Sequence, residues 1–286
     1  MKLYTPSTIK DIREKHGFNF TKTLGQNFLV DKNIIDSIVD GAEITEDELV
    51  IEIGPGIGVI TAEAAQRAGK VVAIEIDKNL IPILEETLAD YDNVTVINRD
   101  VLKTNLREII EEYGTGGKVK IIGNLPYYIT TPIIMKILEE GIAAESITIM
   151  MQKEVADRIK AAPGSKLYGG LSAAVQYYCT TEHIAKAPKE AFMPRPNVDS
   201  TVLRLDIRKE RPVELLDEKV FFRCIKAGFE QRRKTLLNSL GGTGFGKDDL
   251  RQILADAGID PVRRMETLDL QELANLANSM TKYSNR

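Results

Sequence analysis

Four consecutive residues, Asn124-Leu125-Pro126-Tyr127, carry groups that can hold and orient an amine attached to a flat ring. The Asn124 side-chain oxygen and the Leu125 or Pro126 carbonyl can accept the two hydrogens of such an amine. Tyr127 offers a face on which a planar ring can stack, and Pro126 stiffens the segment because its ring fixes φ and it has no N–H to satisfy. The segment directly follows the β-prone run KVKIIG, so we expect these groups at the end of a strand.

A glycine-rich turn, Gly54-Pro55-Gly56-Ile57-Gly58, lies where a predicted strand passes into a predicted helix. Glycines at such a turn let backbone N–H groups and a helix start approach a ligand closely. A dinucleotide fingerprint needs a third glycine at position 59, which is Val59, so NAD fits poorly. The G-x-G-x-G spacing instead suits a nucleoside without a pyrophosphate, such as S-adenosylmethionine. A tight β–α turn without any ligand explains the glycines about as well.

Two acidic residues follow the next two predicted strands. Glu75 ends the run VVAIE, 17 residues after Gly58, where an acid can bind ribose hydroxyls. Asp100 follows NVTVIN and can accept a hydrogen bond from an adenine amino group. Each residue alone is equally explained as a solvated loop acid or a helix cap. Because the carboxyl ends of parallel strands meet at one edge of a sheet, the acids and glycines together predict one nucleoside crevice.

The elements that must position these residues follow a regular order. Residues 49–152 alternate between apolar strands and helical segments through five strands, which predicts a parallel α/β sheet with right-handed crossovers. The near-continuous apolar strands indicate burial on both faces of that sheet. EHIAKAPKEAF and VDSTVLRLDIR are predicted to be extended, and we expect them to complete the sheet as a hairpin.

The C-terminal quarter differs from the rest of the chain in composition and in predicted secondary structure. RKERPVELLDE reads as a charged linker, and from Asp217 onward the pattern predicts helices alone. We therefore expect an N-terminal segment plus a Rossmann-like methyltransferase domain over residues 1–209. A small all-helical domain is expected over residues 210–286.

Composition excludes several classes of protein. The 286 residues are 43% hydrophobic, an ordinary value for a globular chain. Cys179 and Cys224 form no CxxC pair and there are only two histidines, so neither a disulfide framework nor a metal site is expected. The first residues lack an apolar leader, and no run approaches the roughly 18 apolar residues of a membrane span. We expect a cytoplasmic protein without a membrane or metal partner.

Charge is distributed unevenly along the chain. Residues 40–112 hold 17 acidic and 6 basic side chains, a net of −11, so the rest of the chain is net +7 against −4 overall. This asymmetry is compatible with an anionic partner that meets only one face, although random surface charge also explains it.

The motifs occur together in a recognisable order. The segments are KTLGQNFL (22–29), EIGPGIG (52–58), IEID (74–77), NRDVL (98–102), NLPYYIT (124–130), FMPRPNVDS (192–200) and FEQRRKTLLNSL (229–240). Asn-Leu-Pro-Tyr matches the [DNS]-P-P-[YFW]-like motif of amino-methyltransferases, and the whole set resembles the small-subunit ribosomal RNA adenine dimethyltransferase (KsgA) family. The last two segments favour this family over its erythromycin-resistance relatives.

The resemblance implies a reaction and a partner. It implies S-adenosylmethionine-dependent N6,N6-dimethylation of two adjacent adenosines near the 3′ end of 16S rRNA, as a step of ribosome biogenesis. The substrate would be rRNA within an immature small ribosomal subunit, and we expect the enzyme to act as a monomer.

The resemblance also assigns roles to residues. Asn27 and Leu29 would close over the methionine end of the cofactor, and Phe192 would cover the opposite face of the target base from Tyr127. Ordinary packing, with Phe192 as a core residue, is the alternative. Tyr128 we interpret as structural. The implied cofactor residues are Asn27, Leu29, Gly54, Gly56, Glu75, Asp100 and Asn124, and the implied catalytic residues are Asn124, Leu125, Pro126, Tyr127 and Phe192.

Two basic segments are candidates for rRNA phosphate contacts. The first is a set of five cations near a predicted helix–helix junction, and the second lies in the N-terminal segment. A solvated helix face explains such runs equally well, and neither set carries a base-reading pattern, so we expect recognition of RNA shape. The sets are Arg223, Lys226, Arg232, Arg233 and Lys234, and Lys10, Arg13, Lys15, Lys22 and Lys32.

Two other functions remain open at this point. A DNA or large-subunit rRNA adenine methyltransferase would use the same four-residue loop. A nucleic-acid-binding assembly or transcription factor would keep the fold without turnover, but the intact loop and acids weigh against it.

Overall fold

The computed structural model describes residues 2–17 and 25–284, and within them the main feature is a seven-stranded sheet. Its strand order is β4-β3-β2-β5-β6-β9-β7, and β1 and β8 form a separate two-stranded ribbon. The strands are β1 (Phe28–Leu29), β2 (Leu49–Ile53), β3 (Lys70–Glu75), β4 (Val94–Asn98), β5 (Val119–Asn124), β6 (Ser146–Gln152), β7 (Cys179–Ala187), β8 (Phe192–Met193) and β9 (Ser200–Ile207).

Twelve α-helices occur among the described residues, several of them begun by a side chain that caps the first turn. Asp31, Asn105 and Asp217 each accept a backbone N–H of the helix that follows, which is why those helices start there. The helices are α1 (Pro6–His16), α2 (Lys32–Gly41), α3 (Val59–Ala65), α4 (Ile81–Thr87), α5 (Leu106–Tyr113), α6 (Thr130–Glu139), α7 (Lys153–Ile159), α8 (Gly170–Tyr178), α9 (Glu218–Glu230), α10 (Leu236–Ser239), α11 (Lys247–Asp256) and α12 (Leu270–Ser284).

The predicted α/β sheet is confirmed. Strands β2 to β6 pair in parallel, and β9 runs antiparallel to β6 from Ser200 beside Gln152 to Asp206 beside Ser146. The two segments predicted to be extended are β7 and β9, which lie side by side at the end of the sheet. Every residue of β2 is buried, including Glu52, as the near-continuous apolar pattern of the strands predicted.

The order of the strands creates a switch point at β2, which lies between β3 and β5. In open α/β sheets, a crevice outside the carboxyl ends of the strands forms where the winding reverses. Gly123 of β5 keeps the two strands close, because a Cβ there would lie 2.6 Å from the carbonyl oxygen of Ile53.

By its internal contacts the chain divides into two compact units. The first holds the residues up to Ala156 together with Thr181–Ile207, and contains most of the sheet with α1 to α6. The second holds Asp157–Thr180 together with the residues from Arg208 onward. The structure thus groups 157–180 with the C-terminal helices, whereas the sequence placed the division once, after residue 209. The boundary of an independently folding domain stays a prediction.

The second unit has its own core. Phe221 of α9 is fully buried and its ring lies 5.0 Å from that of Tyr177 on α8. Cys224 of α9 is also buried, with its Sγ 3.0 Å from the Met280 sulfur on α12. These contacts explain why the sequence from Asp217 onward predicts amphipathic helices.

Two further features concern the described residues only. None of their helices has the length and apolarity to span a bilayer, and no group of three or more His, Cys, Asp or Glu side chains among them is placed to hold a metal. Lys22, Thr23 and Leu24, the first three residues of the segment KTLGQNFL, lie outside the described part of the chain.

Candidate active site

An open crevice lies at the carboxyl ends of β2, β3 and β5 and encloses about 1030 Å³, part of it open to solvent. Gly54 and Gly56 reach it from the turn after β2, Glu75 from the end of β3 and Asn124 from the end of β5. The predicted convergence of the glycines and carboxylates on one edge of the sheet is therefore present. It results from the parallel register, which brings the ends of neighbouring strands level.

The glycine turn needs its glycines for two different reasons. Gly54, Gly56 and Gly58 all have positive φ, between 61° and 87°, a conformation that other residues rarely adopt. A Cβ on Gly56 would also lie 2.9 Å from the Phe28 ring. At Gly54 the nearest neighbour of an added Cβ is the Asn124 carbonyl oxygen at 3.9 Å, so the turn leaves open space beside β5.

Glu75 is held by backbone groups. Its carboxylate accepts hydrogen bonds from the Asp77 N–H at 2.8 Å and from the Gly56 N–H at 3.4 Å. Only 5% of the residue is exposed, and this burial raises the Glu75 pKa to about 7 despite the two N–H donors, which lower it. The carboxyl is thus positioned in the crevice before any ligand binds.

A second buried carboxyl lies near Glu75 and was not singled out from the sequence. Glu52 of β2 is 1% exposed, and its burial, together with the Glu75 charge, raises its pKa to about 8. The segment EIGPGIG contains Glu52, but an acid inside an apolar strand gave no signal that separated it from its neighbours.

Asp100 serves as a cap and also lines the crevice. Its Oδ1 accepts the Leu102 N–H at 3.0 Å and thereby begins the short 3₁₀ helix Val101–Lys103. The interpretation of Asp100 as a helix cap is therefore correct. The residue also borders the crevice, and its second carboxyl oxygen, Oδ2, lies 3.7 Å from the Lys103 ammonium.

The amide of Asn124 has a defined orientation. Its Nδ2 donates a 2.9 Å hydrogen bond to the backbone carbonyl of Asn27, which leaves Oδ1 as the side-chain atom that can accept hydrogens from a substrate. The Asn27 side chain in turn donates to the Gly25 carbonyl. The segment 25–29 thus sets the orientation of the amide from 97 residues away.

The Leu125 and Pro126 carbonyls are the two candidates to accept a hydrogen from the amine, and the hydrogen bonding around them differs. The Pro126 carbonyl already accepts hydrogen bonds from the Ile129 N–H and the Thr130 hydroxyl, both at 3.1 Å. These bonds close the turn that leads into α6. Leu125, whose side chain is 1% exposed, anchors the segment by donating its N–H to the Met150 carbonyl of β6. Of the two, the Pro126 carbonyl is therefore the one engaged within its own turn.

Tyr127 is fixed at its hydroxyl end. The hydroxyl lies 2.8 Å from Oγ of Ser200, the first residue of β9, which is 2% exposed. Burial raises the pKa of the Tyr127 hydroxyl. The ring of Tyr127 lines the crevice, so this hydrogen bond orients an aromatic face at its mouth. Ser200 was quoted within FMPRPNVDS but not chosen as a site residue, because a serine that begins a strand has no distinguishing pattern.

The segment 25–29 is attached to the crevice wall at several points. Gln26 donates a 2.7 Å hydrogen bond to Asp77, just after β3. Leu29, 2% exposed, pairs with Phe192 in the ribbon formed by β1 and β8. Asn27 and Leu29 both line the crevice, as their proposed cofactor role requires.

Phe192 does not meet the other predicted residues in the crevice. It is 5% exposed and belongs to the hydrophobic core that includes Leu29 and Phe28. The interpretation of Phe192 as a core residue matches this placement, because the β1–β8 pairing holds its backbone beside Leu29. A role against the target base would require its ring to leave that core.

The five predicted RNA-binding cations are all exposed, but one of them is engaged within its unit. Arg223 and Lys226 lie three residues apart on α9, and Arg233 and Lys234 lie in the turn before α10. Arg232 donates to the carbonyls of Lys166 and Tyr168 at 2.9 and 3.0 Å and pairs with Glu266 at 3.1 Å. Of the five, Arg232 has this additional structural role.

Fold and site together define a class of protein. A mixed Rossmann-like sheet carries a glycine turn, a buried carboxyl at the end of β3 and an Asn-Leu-Pro-Tyr loop at one crevice, and this combination is typical of an S-adenosylmethionine-dependent amino-methyltransferase. A family model described as "Ribosomal RNA adenine dimethylase" matches residues 17–282. The chain belongs to this family of S-adenosylmethionine-dependent methyltransferases.

Relatives with known names agree with that assignment. The chain is 55% identical over 287 residues to "Ribosomal RNA small subunit methyltransferase A" of Clostridioides difficile (strain 630), covering 100% of this chain and 99% of the relative. It is 53% identical over 284 residues to the protein of the same name from Bacillus cytotoxicus, covering 98% and 97%.

Solved structures show the same fold. A dimethyladenosine transferase from Plasmodium falciparum has a TM-score of 0.76 at 24% identity, covering 90% of this chain and 98% of its own. The 23S rRNA methyltransferase ErmE has a TM-score of 0.66 at 26% identity, covering 89% and 100%. The two structures carry different rRNA activities in their names, so likeness of fold alone does not identify the substrate.

Proposed function

We propose that this protein transfers methyl groups from S-adenosylmethionine to N6 of two adjacent adenosines near the 3′ end of small-subunit rRNA, giving N6,N6-dimethyladenosine. The observation that carries the proposal is the Asn124 amide, whose nitrogen is bonded to Asn27 and whose oxygen is left for a substrate amine. The full-length relatives above 50% identity favour small-subunit rRNA over the 23S rRNA named for the ErmE structure. We further propose that the rRNA is presented by an immature small subunit, in the cytoplasm, to a monomeric enzyme.

We propose that this crevice binds S-adenosylmethionine. Glu75, held by two backbone N–H groups, would accept hydrogen bonds from the ribose hydroxyls. Asp100 would accept a hydrogen bond from the adenine amino group. The open space at Gly54 lets a ligand approach the backbone, and Asn27 and Leu29 would border its methionine end. When bound there, the cofactor supplies an electrophilic methyl group on a sulfonium.

The residues of the Asn124–Tyr127 loop would orient the amine. An adenine N6 is a poor nucleophile because its lone pair is delocalised into the ring. Asn124 Oδ1 and the Leu125 carbonyl would accept its two hydrogens and favour the positive charge that develops on nitrogen. Tyr127 would stack on the base, which offsets the few kcal/mol needed to expose it. Positioning of this kind supplies much of the rate, and no strong general base is required because the methylated amine is acidic.

The decisive test compares wild type with Asn124→Ala on unmethylated small subunits. Labelled S-adenosylmethionine gives the rate, and nucleoside mass spectrometry gives the product. We expect N6,N6-dimethyladenosine from the wild type and a loss of roughly 100-fold or more in the variant, the scale seen when a transition-state acceptor or donor is removed. Asn105→Ala, which removes an amide that caps α5, is the matched control and should retain the rate.

Three results would redirect the assignment. Product on naked 23S rRNA or DNA, with none on small subunits, would favour the other amino-methyltransferase activities. Binding of small subunits without any product would favour an assembly factor. Full activity of Asn124→Ala would remove the proposed role of the amide.

A further inference from the structure

Tyr128 is unusual among the aromatic residues of this protein. It is 59% exposed, whereas every other Phe or Tyr within residues 2–17 and 25–284 is buried or half-buried. The sequence suggested that this second tyrosine of NLPYYIT is structural, which would predict burial. Its exposure therefore requires another explanation.

The position of Tyr128 relates it to the crevice. Tyr127 and Tyr128 both line the crevice, but their rings are held on different sides. Tyr127 reaches Ser200 at the start of β9, whereas the Tyr128 ring lies beside Gly25 of the N-terminal segment. Atoms of the Tyr128 ring lie 3.6 and 3.7 Å from the position where a Gly25 Cβ would be built. One edge of the ring thus faces Gly25, and 59% of the residue is open to solvent.

The backbone at Tyr128 is also fixed. The Pro126 carbonyl accepts hydrogen bonds from the Ile129 N–H and the Thr130 hydroxyl, and these two bonds enclose Tyr127 and Tyr128 in a closed turn. Because the turn is already closed, little backbone entropy is lost when a ligand covers the side chain. The exposed ring is therefore presented from a preorganised backbone.

The chemistry of this surface selects its occupant. We propose that Tyr128 is a second stacking site, which takes the base of the nucleotide next to the adenosine held by Tyr127; this inference rests on the proposed function. An exposed aromatic ring beside a flipped-base pocket suits the π-face of a nucleobase, and enzymes of this kind draw sequence context from the flanking nucleotides. The crevice is lined by the cation Arg99 as well as by Glu75 and Asp100, so its charges do not select a phosphate, whereas the exposed π-face of Tyr128 suits a base.

Kinetics on unmethylated small ribosomal subunits test the proposal. Tyr128→Ala should lower kcat/KM for subunits roughly tenfold to a hundredfold, as expected for one lost base–aromatic stack, and leave the S-adenosylmethionine Kd within about twofold. Tyr128→Phe should match the wild type, and Tyr128→Leu, which keeps an apolar contact with Gly25, should behave like the alanine variant. Tyr113→Ala, which changes a tyrosine that precedes the amino end of β5, is the matched control and should retain wild-type kinetics.

A double-mutant cycle identifies the occupant. Of subunits reconstituted with an abasic site either 5′ or 3′ of the target adenosine, the one that lacks the stacked base should lose kcat/KM by a similar factor with the wild type. The correct abasic position should cause no further loss with Tyr128→Ala, because the missing base and the missing ring belong to one contact.

Several outcomes would overturn the proposal while leaving the proposed function intact. Wild-type kinetics for Tyr128→Leu would show that no aromatic face is needed. An equal loss of cofactor affinity in Tyr128→Ala would make the residue an anchor for Gly25 and its neighbours. Additive losses at both abasic positions would exclude a flanking base as the occupant. Absence of product with the wild-type protein would instead count against the proposed function itself.

Discussion

At the scale of single residues, the site consists of the Asn124 amide and the Tyr127 ring, and each is oriented by one hydrogen-bond partner. Asn27 binds the Asn124 amide nitrogen through a backbone carbonyl, so the oxygen is the group left for an amine. Tyr127 lies three residues further on and is held by Ser200. Orientation of these side chains therefore depends on partners that are 97 and 73 residues distant in the sequence.

The buried carboxyl of Glu75 predicts a pH dependence of cofactor binding. Burial raises its pKa to about 7, and ribose hydroxyls would donate to the carboxylate form, so binding requires deprotonation. The affinity for S-adenosylmethionine should be higher at pH 8 than at pH 6, with a Kd that rises towards about tenfold per pH unit well below the pKa. Isothermal calorimetry from pH 5.5 to 8.5 measures this.

Glu75→Gln and Glu52→Gln are the controls for that titration. The first should bind more weakly and show only the pH dependence of the ligand itself. The second should keep the wild-type slope between pH 6 and 7, because the Glu52 pKa is raised further, to about 8. Parallel profiles for wild type and Glu75→Gln would contradict the assignment of the titrating group to Glu75.

At the scale of elements, the crevice exists because β2 and β5 approach closely at the switch point. Parallel pairing aligns Glu52 with Ile122, so the glycine turn after β2 and the Asn124 loop after β5 leave the sheet at the same level. The ribbon of β1 and β8 adds the segment with Asn27 to this edge. Three elements that are distant in sequence thereby line one crevice.

Gly123→Ala tests the close approach of the two strands. The added Cβ would lie 2.6 Å from the Ile53 carbonyl oxygen and 3.1 Å from Leu125, and backbone cannot move aside cheaply. We expect a loss of about 1–3 kcal/mol in the free energy of unfolding, as for other overpacked sites, measured by urea denaturation.

Gly241→Ala is the matched control for this substitution. Its added Cβ meets nothing within 4 Å, and its φ lies outside the positive range that favours glycine. We expect its stability to be unchanged within a few tenths of a kcal/mol. Wild-type stability for Gly123→Ala would mean that the β2–β5 separation is not set by this glycine.

For the whole molecule, the distribution of charge assigns different tasks to its parts. The acidic stretch 40–112 supplies Glu75 and Asp100 to the crevice, whereas the exposed cations of α9 and the following turn lie in the second compact unit. A net charge of −4 therefore does not exclude an RNA substrate. We propose that phosphate binding is a property of those cations.

Neighbouring arginines in that turn separate phosphate binding from structure. Arg233→Ala should weaken binding to small subunits and reduce the slope of log K against log salt by about 1, with no change in thermal stability. Arg232→Ala should lower the melting temperature, since it leaves the carbonyls of Lys166 and Tyr168 without that donor. Filter binding from 50 to 200 mM salt and thermal denaturation measure the two effects. An unchanged salt slope for Arg233→Ala would remove it from the phosphate contacts.

The sequence by itself determined the fold class and the residues at the ends of the strands. Alternating apolar runs predicted the sheet, and Gly54, Glu75, Asp100 and Asn124 were found because each lies at or just after the carboxyl end of a strand. Such residues are predictable since the carboxyl ends of parallel strands must share one edge. Burial of the apolar residues of Leu49–Ile53 followed from the near-continuous apolar pattern, whereas burial of Glu52 did not.

Only the tertiary structure decided how these residues are held and which of them meet. Long-range hydrogen bonds oriented Asn124 and Tyr127, the carbonyl of Pro126 proved to be occupied by its own turn, and Phe192 proved to lie in the core. The exposure of Tyr128 could not be predicted either, because the sequence shows two adjacent tyrosines and no pattern that distinguishes them. A local pattern records the period and position of a residue, whereas burial and hydrogen-bond partners depend on segments that only folding brings together.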